Sequence, residues 1–439
     1  MDVRTACRVG AGAGFAGDRI DPAVLLAASG EVDAIALECL AERTLLPALK
    51  ARAADPGAGY DPRLRRRLAP LLPAAHASGC RIVSNLGQAN PRAAGEAIAR
   101  LAGELGCGGV RVAAVLGDDV MDQRDRVAWN RPVSGRLVGA HAYLGAEALS
   151  QALEDGASVV VTGRVADSAL FAAPALRRLD DRPEALAGAV TVGHLLECSG
   201  QLSGGNFSPV GGAMLSAEAY ARLGYPLAEV FSDGSAEIRL LEGACGLLTP
   251  ETCTLQLLYE VHDPARYITP DVTLDFTGLR FEQVGKNRIR MSGARSAGRP
   301  DTLKVAGFME LEGWIIDCEI GFAGTGALER GQRTAEALRL RLQQWADDDI
   351  AIDLVGVDSI LRAGSVPTRT PPAEVRVHVS ARCADAEAAQ IVEDEVYAMT
   401  LSGPAGGSSV RSERRARIEV IDGYIAREWV KPTIEWSSS

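Results

Sequence analysis

The first half of the chain alternates continuous apolar runs with segments whose apolar residues recur at helical spacing. Runs that are apolar on both faces are typical of strands in a parallel sheet covered by helices. The predicted strands are Thr5–Val9, Val32–Leu37, Arg81–Ser84, Val110–Leu116 and Ser158–Thr162, and the predicted helices between them include Pro91–Leu105, with Asn90 as its N-cap, and Ala146–Glu154. This alternation predicts an α/β domain with a mostly parallel sheet flanked by helices, of the doubly wound type.

From about Gly246 the pattern changes to strand pairs interleaved with two helices. Leu303–Met309 and Trp314–Ile320 predict a hairpin that turns at Glu312–Gly313. The later predicted elements are a helix at Ala327–Trp345, strands at Ile350–Val355 and Glu374–Val379, a loop at Pro367–Pro372, a helix at Ala386–Thr400 and a strand at Arg417–Ile421. We therefore expect a smaller C-terminal α+β sandwich of split-βαβ type, and two domains at residues 1–245 and 246–439.

Composition and charge exclude several classes of function. With 47% hydrophobic and 23% charged residues, the chain has the balance of a globular protein. A net charge of −11 disfavours a nucleic-acid binder. No apolar stretch approaches the ~20 residues of a membrane span, and no apolar leader follows Met1. Nine dispersed cysteines without CxxC spacing indicate reduced thiols. We expect a cytoplasmic homo-oligomer with no nucleic-acid and no membrane partner.

Polar and glycine residues follow the predicted strands one after another. The carboxyl ends of parallel strands open onto one edge of a sheet, where ligands bind at a switch in strand order. Loop polarity alone could explain any single residue, and Asp167 could merely cap a helix from Ser168. The whole set favours a site. The predicted substrate-binding residues are Gly12, Gly14, Glu38, Asn85, Asp118 and Arg164.

The glycines at 12, 14 and 17 also match the spacing of a dinucleotide-binding fingerprint. That motif requires a helix that begins within the glycines, so that its first amides hold a pyrophosphate. Here Asp21–Pro22 predicts a later start of the helix. A glycine loop that lies over a substrate or another segment is therefore favoured over NAD binding.

The sharpest local feature is the segment Thr191–Gln201, which contains His194 and Glu197. In a helix these two side chains share one face, and a carboxylate neighbour raises the basicity of histidine. The alternative is a core histidine hydrogen-bonded to the glutamate. We take His194, Glu197 and Asp167 as the candidate catalytic residues. No cofactor is assigned; a divalent metal stays an open alternative, with Asp118, Asp119 or Asp167 as further ligands, although the spacing is no zinc signature.

Several runs resemble the acyclic terpene utilisation (AtuA) family, and together they cover nearly the whole chain. The most specific are Val161–Leu170 and Gly193–Cys198. The others are Arg8–Gly10, Gly17–Asp18, Glu38–Thr44, Asn90–Ala94, Gly117–Asp119, Ala142–Ala146, Leu258–Glu260, His262–Pro264 and Thr269–Val272. The family takes its name from bacterial pathways that degrade citronellol and geraniol as CoA thioesters, and its members sit beside acyl-CoA carboxylases.

The resemblance implies a carboxylate or acyl-CoA substrate. Some relatives carry a C-terminal ferredoxin-like module or work beside a small separate protein, so the resemblance also leaves room for a small ferredoxin-like partner.

We predict a lyase of the hydratase/dehydratase type that acts on a small carboxylic acid or its CoA ester. His194, oriented by Glu197, would be the acid or base, and Asp167 or the Asp118–Asp119 pair would be the opposite proton carrier or a metal anchor. Arg164 and the amides after Gly10 would bind the substrate carboxylate or carbonyl. The alternatives are a thioester hydrolase that uses Cys198, or a non-catalytic subunit of an acyl-CoA carboxylase system.

Overall fold

The computed structural model describes residues 4–343, 350–361 and 371–438. Its strands are β1 (Thr5–Ala13), β2 (Ala34–Leu37), β3 (Arg81–Ser84), β4 (Arg111–Leu116), β5 (Ala128–Trp129), β6 (Arg136–Ala142), β7 (Val159–Thr162), β8 (Leu227–Phe231), β9 (Ala236–Arg239), β10 (Tyr267–Ile268), β11 (Thr273–Asp275), β12 (Arg280–Gly285), β13 (Arg288–Ser292), β14 (Arg295–Ser296), β15 (Thr302–Ala323), β16 (Ile350–Val355), β17 (Glu374–Cys383), β18 (Ser408–Ala426) and β19 (Thr433–Ser438). Its helices are α1 (Asp21–Ser29), α2 (Glu42–Ala54), α3 (Leu64–Ser78), α4 (Pro91–Glu104), α5 (Glu147–Glu154), α6 (Asp167–Ala172), α7 (Pro183–Leu196), α8 (Ala217–Ala221), α9 (Pro250–Leu258), α10 (Ala327–Leu342) and α11 (Ala386–Ser402).

A ten-stranded mixed sheet forms the centre of the α/β part, in the order β12-β13-β9-β8-β1-β2-β3-β7-β4-β19. Among the described residues its four parallel pairings join β1, β2, β3, β7 and β4. All five strands predicted in the first half lie here, and the α/β class is confirmed. The expectation of a mostly parallel sheet is wrong beyond these five strands, because β8, β9, β12, β13 and β19 pair antiparallel with their neighbours.

The close packing of α6 against α7 brings two predicted site residues towards each other. A Cβ atom on Gly193 of α7 would lie 2.2 Å from the carbonyl oxygen of Ser168 in α6, so only glycine allows this approach. Asp167 is the first residue of α6, and Glu197 directly follows α7. At the start of α4, Asn90 is the predicted N-cap, and its side chain accepts a hydrogen bond from the Ala93 amide at 3.3 Å.

The described residues divide into two compact units. The larger comprises those within 1–131, 139–307 and 421–439, and the smaller those within 132–138 and 308–420. The larger unit thus includes residues 246–307, which the sequence analysis placed in the second domain. In the smaller unit, α10 and α11 pack on a sheet ordered β16-β17-β15-β18, and the apolar core between them includes Ile320, Leu338 and Val377. The doubly wound arrangement and a separate C-terminal sandwich domain stay predictions.

The hairpin predicted around Glu312–Gly313 is wrong, because β15 runs unbroken from Thr302 to Ala323. Gly313 adopts φ +100° inside this strand and marks a local irregularity rather than a chain reversal. Two other predictions fall partly outside the described residues: positions 344 and 345 of the predicted helix Ala327–Trp345, and positions 367–370 of the loop Pro367–Pro372.

None of the helices in the described part of the chain has the length and apolar character needed to cross a membrane.

Candidate active site

A cavity of about 1030 Å³ in the larger unit collects side chains from the carboxyl ends of several central strands. It is lined by five of the predicted site residues, namely Gly14, Glu38, Arg164, Asp167 and Glu197. Gly12, Asn85, Asp118 and His194 are not among its lining residues. The structure therefore brings most of the predicted carboxyl groups, those of Glu38, Asp167 and Glu197, to one cavity. The other four predicted residues do not line it.

Arg164 is almost completely buried, and its guanidinium group is already engaged by the protein. Nη1 donates to the carbonyl oxygen of Leu40 at 2.7 Å, and Nη2 donates to Val165 at 2.9 Å and to Asp167 at 2.5 Å. The guanidinium carbon also lies 4.5 Å from the ring centroid of Tyr143. These contacts hold Asp167 and the loop after β2 in place, and substrate binding by Arg164 stays a prediction.

Asp167 presents part of its carboxyl group to the cavity, with 39% of its side chain exposed. Burial raises the pKa of Asp167 well above its usual value, and the charges of Glu38 and Glu197 add to this effect while Arg164 opposes it. Asp167 is therefore the cavity carboxyl group that most readily keeps its proton as the pH rises.

Glu38 is buried at the inner end of the cavity. Its Oε1 accepts hydrogen bonds from the Leu40 amide at 2.7 Å and from Asn85 Nδ2 at 3.1 Å. Burial raises the pKa of Glu38, Arg164 opposes this rise, and the charge of Glu197 adds to it. Glu38 and Asp167 therefore belong to one cluster of neighbouring carboxyl groups.

Glu42 and Tyr143 form a second polar pair in the cavity wall, which the sequence analysis did not assign. The Tyr143 hydroxyl donates a hydrogen bond to Glu42 Oε1. Burial would raise the pKa of Glu42, but the Tyr143 hydrogen bond and the charges of Arg164 and Lys304 outweigh it, so this pKa is lowered. The cavity thus shifts the pKa values of its carboxyl groups in opposite directions. The position of Glu42 after β2 could have indicated it from the sequence, and Tyr143 lies in the run Ala142–Ala146 that resembles the family.

His194 lies behind the cavity wall, and only 2% of it is exposed. Its Nε2 is 3.0 Å from the carbonyl oxygen of Leu257, which can only accept, so Nε2 carries a hydrogen. Its Nδ1 is 2.9 Å from Glu197 Oε1. Burial alone would lower the pKa of His194, but the charge and hydrogen bond of Glu197 raise it. Both ring nitrogens are occupied, as in the core-histidine alternative, and the ring orients Glu197 towards the cavity.

Three other predicted substrate-binding residues support the backbone of the cavity loops. Asn85 Oδ1 accepts from the Cys39 amide at 2.7 Å. Asp118 Oδ2 accepts from the Arg164 amide at 2.8 Å and contacts His141 Nδ1 at 2.9 Å. A Cβ atom on Gly12 would lie 2.6 Å from Ile35 Cγ2, so this glycine allows close packing inside the sheet.

The glycine loop after β1 packs against the end of α7. A Cβ atom on Gly14 would lie 2.6 Å from the carbonyl carbon of Cys198 and 2.8 Å from the carbonyl oxygen of Glu197. The Gly14 amide donates to Asp18 Oδ2 at 2.8 Å, and α1 begins only at Asp21. The arrangement is that of a loop that lies on another segment, and it lacks the helix start of a dinucleotide site.

The residues around the cavity also bear on nucleophilic catalysis and on metal binding. Burial raises the pKa of the Cys198 thiol to about 12, and this disfavours the thiolate that a nucleophile requires. In the described ranges, no three His, Cys, Asp or Glu side chains are grouped so that they could hold a metal ion.

The sequence of this chain matches a known family. The family model described as acyclic terpene utilisation family protein AtuA matches residues 7–436. No protein of curated function matches. Among solved structures, the de novo designed protein Ferredog-Diesel is 21% identical over 24% of this chain and 89% of its own, with a TM-score of 0.17. A homoserine dehydrogenase from Thiobacillus denitrificans is 12% identical over 88% of this chain and 83% of its own, with a TM-score of 0.15.

At these TM-scores neither structural likeness bears on fold or function. The family match covers nearly the whole sequence and includes the cavity residues Glu38, Asp167 and Glu197. The chain therefore belongs to the acyclic terpene utilisation (AtuA) family.

Proposed function

We propose that this protein is a lyase of the hydratase/dehydratase type, which acts on a small carboxylic acid or its CoA thioester. One observation carries the proposal: Asp167, whose pKa is raised well above its usual value by burial, lines the same cavity as Glu197. Removal of water from adjacent carbons needs one group that donates a proton and another that accepts one.

In the dehydration direction, Glu197 removes a proton from the carbon next to the substrate carbonyl. The electron pair of that C–H bond forms the carbon–carbon double bond as the C–O bond breaks, and Asp167 gives its proton to the departing oxygen, which leaves as water. Hydration reverses each transfer. His194 and Arg164 are positioning residues here, because each holds one of the two carboxyl groups by a hydrogen bond.

Turnover of α,β-unsaturated CoA thioesters and of the free unsaturated acids, followed by the loss of their ultraviolet absorbance, tests this proposal. We expect Asp167→Asn and Glu197→Gln each to lower kcat about a hundredfold or more, the usual contribution of a general acid or base. The matched controls Asp125→Asn and Glu154→Gln change exposed groups outside the cavity and should keep full activity. Undiminished turnover in either cavity variant, or no turnover of any such substrate by the unmodified protein, would reject the proposal.

A further inference from the structure

Among the cations that line the cavity, Arg266 differs from the others in having no internal partner. Arg164 donates to Asp167, Arg299 donates to Glu147 at 2.9 Å, and Lys304 lies 3.2 Å from Asp422. Within the described residues, the Arg266 guanidinium makes no hydrogen bond or ion pair, although the residue is exposed and lines the cavity. Its charge is therefore available to a ligand.

Large apolar and aromatic side chains line the same cavity as Arg266. Phe15, Tyr259 and Ile268 are between 40% and 54% exposed, so a ligand can contact them. Arg266 directly precedes strand β10, in which the Tyr267 ring packs at 4.9 Å from the His194 ring. The lining also includes Glu260.

We infer that Arg266 is a specificity-determining residue that binds the anionic group of an amphipathic ligand, whose apolar part contacts Phe15, Tyr259 and Ile268. The anion is a carboxylate or a phosphate, since a planar guanidinium group can donate two parallel hydrogen bonds to either. The inference rests on the proposed function, because it names the class of substrate for the same cavity.

Equilibrium binding measured by calorimetry, without turnover, tests this inference with four probes. Octanoate combines a carboxylate with an apolar chain, octanoyl-CoA adds phosphates, octanol lacks the anion, and inorganic phosphate lacks the chain. We expect the unmodified protein to bind octanoate or octanoyl-CoA and Arg266→Gln to weaken that binding about tenfold or more, the effect of one charge-assisted contact. Arg266→Lys should lose less affinity, because it keeps the charge but not the paired donors.

The matched control is Arg280→Gln, which removes another exposed arginine that lies outside the cavity and makes no side-chain hydrogen bond or ion pair among the described residues; it should bind the probes unchanged. A loss with octanoate assigns Arg266 to a carboxylate, and a loss with octanoyl-CoA alone assigns it to a phosphate. The inference is overturned if Arg266→Gln binds both anions as tightly as the unmodified protein, if octanol binds as tightly as octanoate, or if neither anion binds. If Arg266→Gln weakens binding but the unmodified protein shows no turnover, the inference on Arg266 stands and the proposed lyase activity is rejected.

Discussion

Replacement of His194 by alanine separates a structural role of this residue from a catalytic one. The substitution removes the hydrogen bond to the Glu197 carboxylate and the hydrogen bond to the Leu257 carbonyl. A hydrogen bond to a charged group contributes about 1.5–3 kcal/mol and a neutral one about 1 kcal/mol, so we expect a loss of about 2.5–4 kcal/mol in the free energy of unfolding. The space left by the ring beside Tyr267 and Phe276 adds to this loss.

The pH dependence of this loss has a definite sign. Glu197 raises the pKa of His194 above the ordinary value of 6.5, so the folded state binds this proton more tightly than the unfolded chain does. The stabilisation is fully present below the unfolded value and is lost as the pH rises through the higher pKa of the folded state. In urea unfolding, the difference between the unmodified protein and His194→Ala should therefore be largest below pH 6.5 and smaller at alkaline pH.

The matched control is His262→Ala, because His262 is exposed and should leave the free energy of unfolding unchanged at every pH. His194→Gln serves as a milder variant, since the glutamine amide can keep one of the two hydrogen bonds. If His194→Ala unfolds like the unmodified protein but loses all turnover, the reasoning here is refuted, and His194 is the general base expected from the sequence.

Two further predictions concern the contact between the glycine loop and the end of α7. Gly14→Ala places a Cβ atom 2.6 Å from backbone of Cys198, so it should destabilise the protein by about 1–3 kcal/mol in urea unfolding, whereas Gly103→Ala in α4 has open space and should not destabilise it. Equal stability of the two variants would contradict the packing. Cys198→Ser should retain turnover, because the thiol has a pKa of about 12; abolished turnover would instead favour the thioester hydrolase.

The sequence predicted best those elements whose burial is uniform. β2 and β7 are buried at every position, and their continuous apolar runs identified them. β13 was missed although Ile289 and Met291 alternate with exposed residues, because the signal spans only five residues and arginines surround it. The unbroken β15 was split because a glycine inside a strand resembles a turn until its pairing partners are known.

For the candidate site, too, the sequence predicted local contacts and missed those between distant parts of the chain. The contact between His194 and Glu197 followed from their spacing in a helix, but the partner of the other ring nitrogen, Leu257, comes from a distant part of the chain. Local spacing therefore could not show that the ring lies behind the cavity wall. The same holds for Arg164, whose partner Leu40 precedes it by 124 residues.

The central claim is that the pKa of Asp167 lies well above its usual value while this residue lines a cavity shared with Glu197. Difference infrared spectroscopy between the unmodified protein and Asp167→Asn over a range of pH tests this claim, because a protonated carboxyl group has a carbonyl stretch that a carboxylate lacks. We predict a protonated-carboxyl band that persists above the pH range in which an ordinary aspartate loses its proton, that Asp167→Asn removes and that Asp125→Asn retains. A difference spectrum that shows only the loss of carboxylate bands would contradict the account.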